Sequence, residues 1–163
     1  MRTATIPSPL GPVVLTGSDD GLAGVYFGPR APAHAEGLRR DDGAFRVVAA
    51  QFASYFAGES RSFDLPLAAQ GTPFQQRVWA LLRQVEYGTT TTYGALAARL
   101  GSPGASRAVG LANGRNPVGV VVPCHRVVGS DGKLTGYAGG LDVKRWLLAH
   151  ERTHALQPSA ALF

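Results

Sequence analysis

A single cysteine in 163 residues removes several possibilities at once. No internal disulfide can form and no zinc site built on several thiolates can exist, so neither oxidation nor a structural metal organises the fold. No apolar run approaches the ~20 residues that a helix needs to cross a bilayer, which predicts no membrane partner. The N-terminus, Met1-Arg2-Thr3-Ala4, soon meets Pro7 and Pro9 and so has no secretory apolar core. A cytoplasmic protein is the expectation. Acids are scarce in one half only. Residues 71–163 carry ten Lys and Arg against four Asp and Glu, a net of +6, whereas residues 1–70 carry six Arg against seven acids, a net of −1. Basic charge sorted this way suits a polyanionic partner, nucleic acid above all, and equally suits a solvated basic face.

What is present is enough for a core. Apolar residues make up 45% of the chain, and 17.1 kDa fits one domain or two small ones. In the first seventy residues, short strands are expected at 3–6, 13–16 and 22–27, separated by Pro/Gly-rich and Ser-Asp-Asp-Gly turns. That spacing predicts a meander. Val48, Phe52, Tyr55 and Phe56 then recur on a helical face closed by Gly58, while residues 28–43 read as a loop. No acids, histidines or nucleophiles gather here, so residues 1–70 are expected to form a β-rich structural domain, ending in the linker Ala68-Ala69-Gln70-Gly71.

The second half, residues 71–163, reads as mainly helical. Thr72 can cap a helix with Pro73 at its first position, carrying Phe74, Val78, Leu81, Leu82 and Val85 on one face as far as Gly88. Thr89 to Thr92 favour an extended or capping conformation. Residues 93–100 have helical period, Gly101-Ser102-Pro103-Gly104 is a turn, and a second helix follows to about Asn113. Two short helices joined by such a turn fit a helix-turn-helix or an ordinary helical hairpin. The second helix is rich in small residues, with Arg107 as its only long polar side chain before Arg115. A helix so bare can approach a groove closely or pack tightly on a neighbour. The whole is an α+β protein with a winged-helix-like second domain.

An apolar run, residues 118–122, reads as a strand leading into Val122-Pro123-Cys124-His125-Arg126-Val127. A lone cysteine is often a small buried hydrophobe. One beside a histidine can instead be a nucleophile, because the thiolate is the reactive form and imidazole is one of the few groups able to produce it near neutral pH. Residues 129–140 form a polar loop with five glycines, able to lie against a flat ring. A final helix is expected over 141–151, with a loosely held tail from Arg152. Glu151 at a helix C-terminus opposes the dipole, so another partner is expected to hold it.

Asn116-Pro117, Pro123-Cys124-His125-Arg126-Val127-Val128, Gly139-Gly140-Leu141 and Lys144-Arg145-Trp146-Leu147-Leu148-Ala149-His150-Glu151 occur in this order and spacing. Together they resemble the O6-alkylguanine-DNA alkyltransferases, over about residues 72–151. The resemblance implies that Cys124 accepts the alkyl group, that His125 acts as base through a water, and that Glu151 orients His125. It also implies that Asn116 braces the turn presenting Cys124 and that Tyr93 faces the extruded base, donating a proton as guanine leaves. Arg107 would fill the gap left by the flipped nucleotide, with Ala105, Ser106, Arg115 and Tyr93 also at the DNA. The base pocket would be lined by Cys124, Val127, Tyr137 and Ala138.

The implied partner is duplex DNA carrying O6-alkylguanine, with O4-alkylthymine as a second lesion. The protein would be a monomer, with cooperative binding along DNA left open, and would need no cofactor and no metal. Position 138 is Ala where many relatives carry Ser, and the cysteines that some relatives use for an N-terminal zinc are missing. Neighbouring side chains on a strand point to opposite faces, so a bridging water between Cys124 and His125 fits the expected geometry. Lowering a thiol pKa by about three units needs roughly 4 kcal/mol, for which a Glu-held imidazole is the expected source. The thioether product resists water, so each molecule would react once. A non-catalytic sensor of alkylated DNA with the same fold would lack the cysteine. A papain-type hydrolase would need a distant base and Asn, and no such arrangement stands out.

Overall fold

The computed structural model describes residues 1–156, and their contacts divide into two compact units, Met1–Gln70 and a second beginning at Gly71. In the first, β1 (Arg2–Ile6), β2 (Val13–Ser18) and β3 (Gly21–Phe27) form an antiparallel meander. Its inward side chains, including Val13, Leu15, Leu22, Val25 and Phe27, are buried. The β2–β3 turn depends on Gly21. Its φ is +140°, and a Cβ there would stand 2.5 Å from the Pro66 carbonyl oxygen, to which the Leu22 N–H donates.

The segment expected to be a loop is more ordered than its composition suggests. Residues 28–43 contain a 3-10 turn (Gly28–Arg30), a one-turn helix α1 (Ala33–Glu36) and a two-residue strand β4 (Arg39–Arg40). β4 pairs parallel with β1, giving the sheet order β3-β2-β1-β4. Elements this short lack a period to read. A 3-10 turn capped by Asp41 then leads into α2 (Arg46–Phe56), whose Phe52 and Tyr55 are fully buried and pack against Phe63 at ring separations of 5.0 and 5.4 Å.

In the second unit, α3 (Pro73–Leu82) opens on a reciprocal cap. Thr72 Oγ1 accepts from the Gln75 N–H, and Gln75 Oε1 accepts from the Thr72 N–H. The helix stops at Leu82, so Val85 lies beyond it rather than on its face. Residues Thr91–Thr92 form β5, and Thr92 Oγ1 also caps α4 (Tyr93–Arg99) by accepting from the Ala95 N–H. α5 (Ser106–Gly114) follows after a six-residue turn. The buried Trp79 indole donates to the Ala112 carbonyl at 2.8 Å, fastening α5 to α3. β6 (Val127–Val128) pairs parallel with β5.

Two expectations fail here. Residues 118–122 are not a strand: the Val122 N–H returns to the Val118 carbonyl at 3.0 Å, and Val120 takes φ 72°. For a β-branched residue that left-handed conformation is costly and rare. The apolar run is therefore a tight buried turn. Likewise α6 (Leu141–Ala155) continues a full turn past Glu151, so residues 152–155 are helix and not tail. The remainder of the expected tail lies outside the described residues.

Candidate functional site

Cys124 is 4% exposed and opens a 3-10 turn, Cys124–Arg126, reached through the Val118 to Val122 turn. Asn116 holds that approach from two sides. Its Nδ2 donates to the Val122 carbonyl at 2.9 Å and its Oδ1 accepts from the Val118 N–H at 3.0 Å. Asn113, on the buried face of α5, places Nδ2 3.5 Å from the carbonyl of Cys124 itself. Cys124 thus stands on an over-determined backbone, which is what sustains the strained Val120 beside it.

His125 is fully buried, and its Nε2 lies 2.7 Å from Glu151 Oε2. Arg126 completes the cluster: Nε donates to Glu151 Oε1 at 2.8 Å, Nη2 to Oε2 at 3.0 Å, and Nη1 to the Val85 carbonyl at 2.7 Å. Burial alone would push the Glu151 carboxyl up, but the hydrogen bonds and charges of His125 and Arg126 together hold it well below the ordinary carboxylate range. An ionised Glu151 can only accept, so the imidazole Nε2–H donates to it. His125 Nδ1 is then a bare lone pair, buried and without a hydrogen-bond partner among the described residues. Burial, assisted by Arg126 and Lys144 and opposed by Glu151, holds the imidazole below its usual pKa and so neutral.

The thiol corrects an expectation. Burial pushes the Cys124 pKa up, against the lowering effects of Asn116, Lys144 and Tyr137. That direction favours the neutral thiol at rest, where a thiolate prepared by the imidazole was expected. The turn also corrects the strand geometry assumed for the Cys124–His125 pair.

Around this centre the structure gathers Cys124, His125, Glu151, Asn116, Val127 and Tyr137. Burial pushes the Tyr137 phenol well up, with Cys124 beside it adding to the shift. Tyr93 opens α4, and its hydroxyl meets Thr135 Oγ1 at 2.5 Å. Ala138 is exposed. Arg107 stands exposed on α5 and Arg115 just past its end, with Leu111 between them, 69% exposed, while Ala105 and Ser106 are half-buried.

Sequence reasoning missed Arg126, Asn113, Thr135 and Lys144. Lys144 is the clearest omission: a lysine with no exposed surface, its Nζ donating to the Val127 carbonyl at 2.6 Å and the Thr135 carbonyl at 3.3 Å. A usable signal existed, because Lys144, Leu147, Leu148 and Glu151 fall on one helical stripe. A cation on an apolar stripe needs buried acceptors.

Comparison with known proteins gives matching models over both units. Residues 73–153 match the 6-O-methylguanine DNA methyltransferase DNA binding domain, and residues 1–69 match the ribonuclease-like domain of the same family. A methylated-DNA–protein-cysteine methyltransferase of Methanosarcina acetivorans is 49% identical over 153 residues, covering 93% of this chain and 98% of that one. The protein of the same name from Mycobacterium tuberculosis is 48% identical, covering 93% and 92%. Among solved structures, the M. tuberculosis O6-methylguanine methyltransferase superposes with a TM-score of 0.90 at 44% identity, covering 99% of this chain and 97% of that one. The M. tuberculosis OGT in complex with DNA gives 0.88 at 45% identity, covering 99% and 98%.

Proposed function

The chain belongs to the 6-O-methylguanine DNA methyltransferase family, and from that premise we propose how its residues divide the work. The protein is a DNA repair methyltransferase that reverses alkylation directly, and DNA is its partner. Cys124 is the acceptor. Residues 71–163 bind DNA and carry the chemistry, while residues 1–70 support them. It acts as a monomer in the cytoplasm on O6-alkylguanine, and by the same chemistry on O4-alkylthymine.

The observation that carries this reading is the buried chain from Glu151 through His125 to a bare Nδ1, one residue from a buried thiol. A neutral imidazole with its other nitrogen fixed by a carboxylate is a general base of defined direction. It takes the Cys124 proton through one water. Sulfur then displaces guanine in line at the alkyl carbon, forming the C–S bond as the C–O6 bond breaks. The Tyr93 hydroxyl protonates the departing base and recovers a proton from solvent, to which His125 gives up the one it took. In sum, one alkyl group moves to sulfur and one proton moves from thiol to guanine. Because the target atom sits inside the duplex and the thiol inside a core, the nucleotide must rotate out, costing a few kcal/mol. Arg107 offsets that cost by filling the stack.

Incubation with a duplex containing O6-methylguanine should add one methyl mass to the protein, located on Cys124, with no turnover. Cys124→Ser should bind the duplex without accepting the methyl. Repeated turnover, or transfer that persists in that variant, would falsify the acceptor role. The alternative of a non-catalytic sensor finds no support in a chain that retains the cysteine together with its base and carboxylate.

A further inference from the structure

The chemistry above leaves one short contact unassigned, that between the hydroxyls of Tyr93 and Thr135 at 2.5 Å. Thr135 is half-buried in the glycine-containing loop, and two neighbours hold it. Its carbonyl accepts from the buried Lys144 ammonium at 3.3 Å. Its methyl lies on the side of Gly129. Its hydroxyl is left for Tyr93. The same ammonium donates to the Val127 carbonyl on β6, so Lys144 locks the loop to the strand beside the nucleophile. A buried ammonium is costly unless its donors are used, and both acceptors here are backbone carbonyls, which gives Thr135 a rigid seat. Threonine itself is stiff at χ1.

We propose that Thr135 is the positioning residue for Tyr93, fixing the direction in which the phenol offers its proton to the leaving guanine. This rests on the reading of Tyr93 as proton donor. A phenol hydroxyl rotates about its C–O bond and, left alone, points its hydrogen over a range of directions. When the Thr135 O–H donates into one phenol lone pair, that direction is closed to the phenol's own hydrogen, which is turned toward the base. The donated bond also stabilises the phenolate that forms as the proton leaves. Thr135 touches neither substrate nor sulfur and acts only through Tyr93.

The test is single-turnover alkylation by the full-length protein, on a free O6-alkylguanine base and on alkylated duplex, of Thr135→Val, Thr135→Ser, Tyr93→Phe and the double variant Tyr93→Phe with Thr135→Val. Valine keeps the shape and loses the hydroxyl. A positioned general acid contributes roughly 10²–10⁴-fold. Thr135→Val should therefore slow both substrates by about tenfold, a fraction of that contribution, and Thr135→Ser should restore most of the rate. In the Tyr93→Phe background the valine change should have no further effect, because coupled residues do not add. Equal slowing in both backgrounds would show that Thr135 merely holds the loop, and would overturn the proposal. So would a full rate in Thr135→Val. If Tyr93→Phe itself reacts at the full rate, the proton-donor reading falls and this inference falls with it. A slow Tyr93→Phe beside a fast Thr135→Val removes the inference alone.

Discussion

At the residue scale, the pH dependence expected of the reaction proposed for Cys124 follows from two displaced titrations. The imidazole is held below its usual pKa by burial and the thiol above its own. The single-turnover rate should therefore stay flat as pH is lowered through about 6.5, the ordinary imidazole value, and should not climb as pH rises through about 8.5, the ordinary thiol value. A rate that halves at pH 6.5 would mean a solvent-like histidine and contradict the buried one. Stability follows the same groups. His125 and Glu151 are both depressed on folding, so the unfolded chain binds more protons as pH falls. Their contribution is fully present above about 6.5 and is lost progressively below it, for Glu151 below about 4.3. How much of this was legible is uneven. Cys124, His125 and Glu151 stood out by type and order. Arg126 did not, because nothing local shows that a guanidinium beside a histidine turns inward and takes both oxygens of a carboxylate 25 residues away.

At the element scale, α5 has two unlike faces. Val109, Ala112 and Asn113 are buried, and Asn113 reaches the Cys124 carbonyl, while Arg107 and Leu111 stand exposed, as does Arg115 just past the helix end. The helix therefore presents long side chains outward and steadies the Cys124 backbone inward. Arg107→Ala should slow repair of alkylated duplex strongly, by tenfold or more if Arg107 offsets even about 1.4 kcal/mol of the flipping cost. It should leave reaction with the free base nearly unchanged. Equal slowing of both substrates would place Arg107 in the fold rather than at the DNA. The helices were legible from period and caps, the turn before Cys124 was not. Four valines and a glycine in a row are compatible with a strand, and no propensity announces a valine in the left-handed region; that conformation is imposed by Asn116 and by the return bond to Val118.

At the scale of the whole molecule, the basic half is less basic at its surface than its composition implies. Of the ten Lys and Arg after residue 70, Arg126 and Lys144 are buried, leaving eight exposed. Only these can meet phosphates. If about four do so, the logarithmic salt slope should lie near −3.6, and affinity should fall on the order of a hundredfold between 50 and 200 mM salt. Unmodified duplex should share that slope, since backbone contacts dominate it. An affinity indifferent to salt, measured by titration at fixed pH, would remove the electrostatic part of the interface.

The bond from the Trp79 indole to the Ala112 carbonyl has a consequence in another currency, that of light. The chain has two tryptophans, and they sit in unlike surroundings. Trp146 stacks on His150 at 4.6 Å between ring centres and 13° between planes, so its emission follows that imidazole. Trp79 is 4% exposed, with its N–H committed to the last turns of the helix that carries Arg107. Any displacement of α5 stretches that one bond and shifts the colour of a chromophore kept from water. The molecule thus holds, without any label, an optical gauge on the element proposed to offer its side chains to DNA.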